Sequence, residues 1–223
     1  MNKKFGFTLA EVLITLAIIG VVAAITIPIL IANYQKDQTA TSLKKIYSEI
    51  SQVILKSTND NGSTKSWNWD SATFSDDYLI PYFSIAKDCG SSDYTSACVN
   101  STKYYMRGDA FSPNTGRFIF LNNGVSIQII EAGGGAPYLA FNVDLNGNKE
   151  PNIFGKDVFQ MGIYTWYATK SYELIMRAAN SGRSVVLSTG DGGCNINANT
   201  QSGLFCGTLI QRDGWKIADD YPW

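Results

Sequence analysis

The chain has 223 residues, 45% of them hydrophobic, with 18 basic and 19 acidic side chains, a formal charge of −1 and no histidine. That length holds one ordinary domain plus an appendage, and the near-neutral balance excludes a basic field that would draw the protein onto phosphate backbones, so no nucleic-acid partner is expected. Without histidine there is no Ser/His or Cys/His nucleophile pair, no His-ligated zinc and no usual general base near neutral pH, so the expectation is a protein that is not an enzyme.

Lys3 and Lys4 precede an apolar run over residues 12–32. About 20 such residues, rising 1.5 Å each, cross a hydrocarbon layer of roughly 30 Å. The positive-inside rule then leaves the N-terminus cytoplasmic and carries the rest of the chain across, as a single-pass protein of the cytoplasmic membrane. A cleaved secretory signal, cut at the small residues 22–24, is the rival reading. Two features oppose it: Glu11 lies inside the apolar stretch, and a helical pattern continues past the cut.

In that continuation Leu43, Ile46, Tyr47, Ile50, Val53 and Ile54 recur at steps of three and four, with Lys44, Lys45, Glu49 and Gln52 on the other side. This is an amphipathic helix that wants a packed domain on one face, and Asn59, Asn61 and Gly62 stop it. One helix of roughly 50 residues is expected, opening at Phe7. Gly20 and Pro28 mark the stretch where it should break or bend, because glycine is costly in a helix and proline removes a donor. An acid in a membrane segment costs a few kcal/mol at the bilayer centre and is usually kept because something pairs with it. A newly exposed α-amino group would serve Glu11.

The residues Lys3, Lys4, Gly6, Phe7, Thr8, Leu9 and Glu11, followed by the apolar helix with Pro28, resemble the N-terminus of type IV prepilins and of type II secretion pseudopilins. The resemblance implies cleavage by a prepilin peptidase between Gly6 and Phe7, N-methylation of Phe7, and pairing of Glu11 with a neighbouring subunit's Phe7 amine during assembly. It implies a structural subunit of a type IV pilus or secretion pseudopilus, in a homo- or hetero-filament. Other pilin or pseudopilin subunits, the peptidase, an assembly ATPase, a platform protein and the membrane would be its partners, and the filament would end up extracellular or periplasmic. The alternative within this family is a low-copy minor pilin or tip adhesin whose head binds a ligand. The implied division is a leader over 1–6, a helix over 7–58 with a membrane or filament-core half (7–32) and an amphipathic half (33–58), and a head over 59–223.

For the head, residues 60–116 are polar and turn-rich and read as a long connection. "RFIFLNNGVSIQII" reads as a β-hairpin turning at Asn122, Asn123 and Gly124, and "YLAFNVDLNG" and "DVFQMGIYTW" supply two further strands. An antiparallel sheet of about four strands packed on the amphipathic half of the helix follows, an α+β, pilin-like fold. Cys89 with Cys98 and Cys194 with Cys206 are two close pairs. Four cysteines permit three connectivities; short spacing favours the two local disulfides, and a zinc site, which lacks its usual spacing here, is the rival. Disulfides place the head outside the cytoplasm.

In "DLNGNKEPNIFGKD", Asp144, Asn146, Asn148 and Glu150 alternate oxygen-bearing side chains as a calcium loop does, with Asp157 close enough to join. Lys149 and Gly155 stand where an EF-hand loop has glycine and glutamate, and a plain Gly/Asn turn is the competing reading. Abundant aromatics, among them Trp67, Trp69, Tyr104, Tyr105, Tyr164, Trp166, Tyr167, Trp215, Tyr221 and Trp223, suit core packing better than a sugar-binding platform.

Overall fold

The computed structural model describes residue 6 and residues 8–90, 102–111, 116–165 and 172–223. It divides into two compact units, Met1–Gln38 and Thr39–Trp223. Helix α1 (Leu9–Asn61) supplies the described regular structure of the first unit and opens the second. Its helical bonding continues through Gly20 and Pro28, so the break expected there is not seen. One missing donor in a helix of 53 residues is offset by the turns on either side.

In the second unit α1 presents Ala40, Leu43, Ile46, Ile50, Val53, Ile54 and Ser57 as one buried stripe. The chain then forms a 3-10 turn (Thr64–Ser66), helix α2 (Phe74–Tyr78) and a second 3-10 turn (Ile80–Tyr82). Strands follow as β1 (Ile85–Asp88), β2 (Lys103–Tyr104), β3 (Ala110–Phe111), β4 (Arg117–Leu121), β5 (Ser126–Ala132), β6 (Tyr138–Asp144), β7 (Val158–Tyr164) and β8 (Ile175–Met176), then helices α3 (Arg183–Val186) and α4 (Cys206–Arg212).

The main sheet has six strands in the order β1-β4-β5-β6-β7-β8, every pair antiparallel, where about four were expected. The extra strands are its edges. The β4-β5 hairpin turns where the sequence predicts: Gly124 has φ +88°, and its N–H closes the turn on the Leu121 carbonyl. A side chain at that φ is strained, which is why glycine stands there. Register aligns Ile129, Phe141 and Met161, and beside them Ile127, Val143 and Phe159, on one face. These share a single core with the α1 stripe, so the amphipathic helix and the sheet bury each other's apolar faces.

The opposite face carries Gln128, Asn142 and Gln160 in register. Asn142 donates to Gln128 at 3.0 Å and accepts from Gln160 at 2.7 Å, an amide ladder that satisfies polar groups within the sheet. The β2-β3 hairpin and the disulfide loop cover this face, and Phe154, Val158 and Leu204 form a small second core with Tyr105 and Phe111. Trp67 is buried, stacks on Tyr78 at 4.7 Å and donates its indole N–H to the Gly62 carbonyl; Trp69 stacks on Phe74 at 5.0 Å. These aromatics are packing residues, while Trp166 and Tyr167 lie outside the described residues.

Candidate functional site

At the start of α1 the backbone N–H and the hydroxyl of Thr8 both donate to Oε2 of Glu11 at 2.8 Å, and the Glu11 N–H donates to the Thr8 hydroxyl at 3.3 Å. This is a reciprocal capping box, in which the first residue before the helix and the third within it satisfy each other's orphan donors. Glu11 therefore has a partner within its own chain, one that the Thr8-x-x-Glu11 spacing could have revealed and that sequence reasoning missed. Gly6 is exposed with open space around it, and Phe7, the other side of the expected cut, lies outside the described residues.

Beyond this cap the apolar side chains are bare. Leu13, Ile14, Ile18, Ile25 and Leu30 are all exposed, and the helix is long and apolar enough to cross a membrane. Its hydroxyls are already spent internally: Thr15 donates to the Val12 carbonyl and Thr26 to the Val22 carbonyl, each at 2.9 Å. Polar groups tied to their own backbone suit an apolar setting, where an unsatisfied hydroxyl is costly.

In the second unit Cys194 and Cys206 are joined by a disulfide and both are buried. Cys98, the expected partner of Cys89, lies outside the described residues. The loop after β6 gathers Asp144, Asn146 and Asp157, each with partners inside the chain. Asp144 is fully buried against the ammonium of Lys103, itself 5% exposed. Asp157 accepts the N–H groups of Asn152 and Ile153 at 2.8 and 2.7 Å and the Asn146 amide at 3.1 Å. Asn146 also donates to the backbone carbonyl of Glu150, and the Glu150 carboxylate is not drawn in. Among the described residues no group of three or more His, Cys, Asp or Glu side chains is placed to hold a metal ion. Of the residues expected to hold calcium, Asp144 pairs with a lysine of β2, and Asn146 and Asp157 bond to each other and to the backbone. Burial pushes Asp144 up to about 6 against the pull of Lys103, and burial also raises Asp157.

A cleft of about 210 Å³ opens on the amide-ladder face, with Tyr105, Phe111 and Tyr138 among its aromatic lining and Asn142, Gln160 and Arg177 among its polar lining.

Neither the curated proteins nor the solved structures contain a match to the chain. Residues 1–27 match the prokaryotic N-terminal methylation motif, the prepilin-type cleavage and methylation signal, and residues 29–223 match a family of unknown function, DUF6613. With its long apolar N-terminal helix and six-stranded antiparallel sheet, the chain is a type IV pilin- or pseudopilin-like protein, and it belongs to the DUF6613 family.

Proposed function

We propose that this chain is a structural subunit of a type IV pilus or secretion pseudopilus-like filament and has no enzymatic activity of its own. The methylation motif at residues 1–27, heading a helix with a bare apolar first half, is the observation that carries this reading. The precursor sits in the cytoplasmic membrane with its head outside. A prepilin peptidase removes residues 1–6 and Phe7 is methylated. Helices then pass from lipid into the filament core, and an assembly ATPase and a platform protein drive the transfer. Burial of the apolar side chains supplies most of the cohesion. Glu11 exchanges its bond to Thr8 for one to a neighbour's Phe7 amine, which sets the register of assembly.

The test is the mass of the protein from cells with and without their prepilin peptidase. The expected product lacks residues 1–6 and carries one methyl on Phe7 only where the peptidase is present. A full-length N-terminus, or a cut near Ala24, would overturn the reading. E11A is expected to leave processing intact and to abolish recovery of filaments by shearing.

A low-copy tip subunit whose head binds a ligand draws support from one feature, the cleft between Tyr138 and Gln160 with its aromatic wall and amide floor. Sparse labelling confined to filament ends, with glycan binding lost in Y138A, would favour it over a repeating subunit.

A further inference from the structure

We propose that Lys103 and Asp144 condense into an intramolecular amide, a covalent cross-link between the β2 hairpin and the end of the sheet's β6 strand. The inference stands on the buried pair and does not depend on the filament reading. Lys103 Nζ is in direct contact with the Asp144 carboxylate, and the two side chains are 5% and 0% exposed. They are 41 residues apart in sequence and come from different layers. Both are held from several sides. The Tyr104 N–H donates to the Asn152 carbonyl at 2.8 Å, and the Tyr104 carbonyl accepts from Phe154 at 2.9 Å, which pins the strand carrying Lys103. Asp144 is paired in register with Ser126 of β5 and Val158 of β7, so its backbone is fixed from both sides.

Burial makes a charged pair costly. Taking two ions out of water costs several kcal/mol for each, and a buried ion pair recovers that only with additional hydrogen bonds. Beyond Lys103, the Asp144 carboxylate accepts a bond from the Asn146 N–H at 3.2 Å. Asp157 stands close enough for its negative charge to raise the proton affinity of Asp144 further, beyond the effect of burial. Condensation needs one proton to pass from ammonium to carboxylate, which leaves a nucleophilic amine touching a protonated, electrophilic carboxyl. Holding the two in contact also removes the entropic cost of bringing them together.

The steps balance without any co-reactant. The proton moves from Nζ to the Asp144 carboxylate; the Nζ lone pair attacks Cγ and the N–C bond forms. A proton then passes from nitrogen to one hydroxyl, the Cγ–O bond breaks and water leaves. The product has neither charge and one fewer water.

The experiment is peptide mapping of the full-length, folded protein, purified in detergent, then reduced, denatured and digested with trypsin. A cross-link at Lys103 blocks cleavage there and joins residues 88–107 to residues 118–149 in one branched peptide, lighter by one water than its two parts. Fragmentation must place the join between Lys103 and Asp144, and D144A must release the ordinary 88–103 and 104–107 peptides. Recovery of those ordinary peptides from the unaltered chain would overturn the proposal and leave a buried ion pair. The decisive reading is on the unaltered chain, so poor folding of D144A cannot protect the proposal.

Discussion

Glu131 shows how single residues carry stability in this protein. Its Oε1 accepts from the Ser75 hydroxyl at 3.1 Å, while its Oε2 is buried without a hydrogen-bond partner. Burial holds the carboxyl above its ordinary value, against the Ser75 bond and the nearby Arg117. The folded chain thus keeps this proton more tightly than the unfolded one does. The associated stability is complete below the ordinary glutamate range and is lost as pH rises through the folded value. E131Q removes that loss. It is expected to match the unaltered protein near about pH 4 and to be more stable at neutral pH, by on the order of 1 kcal/mol. Thermal melts across that interval check it, and an equal offset at both ends would contradict it. Residues of this kind differ in how far sequence exposes them. Glu11 stands out because an acid in an apolar run is visible to the eye, and its Thr8 cap lies three residues away. The Lys103–Asp144 pair leaves no such trace: its contact joins strands of two different sheets, 41 positions apart, and nothing local marks Lys103 as the partner.

At the scale of elements, legibility follows length and local bonding. Strands β4 to β7 run five to seven residues with apolar alternation and were readable, as was the α1 stripe from Leu43 to Ile54. β1, β2, β3 and β8 were not, since two to four residues carry no periodicity and their strand character comes wholly from the neighbour they pair with. The loop between Cys194 and Cys206 belongs to the same class of structure made by constraint. It has little regular bonding, yet Cys194, Ala198, Leu204 and Cys206 are all buried. Gly203 sits at φ +95° with a side chain's space already taken by the Phe154 carbonyl, 2.4 Å from where a Cβ would be. The disulfide spans 12 residues of sequence, and closing a loop of that size stabilises by about 3 kcal/mol. Replacing both cysteines with alanine is expected to lower the denaturation free energy by about that much, read from urea unfolding under conditions that leave Cys89 untouched. A loss well under 1 kcal/mol would mean the loop holds its shape by packing alone.

Across the whole molecule, the two units bury their apolar residues in opposite ways. The buried core of the second unit begins at Ala40, and the described large aliphatic side chains of the first unit are exposed. A helix in that condition cannot be held by the hydrophobic packing that holds the second unit, so its stability must come from lipid or from other helices. The second unit has the converse property: its helical stripe, both sheet faces and the small second core all lie within Thr39–Trp223. Removal of residues 1–38 therefore takes away no buried side chain among the described residues. The shortened protein is expected to remain in aqueous solution without detergent and to unfold in one cooperative step, with a Tm within about 3 °C of that transition in the full chain, a shift worth about 1 kcal/mol for a domain this size. Differential scanning calorimetry of both forms makes the comparison. A broad or absent transition in the shortened form would mean that the turns of α1 before Thr39 help hold the head together, and the functional split between an apolar anchor and a self-sufficient head would have to be abandoned.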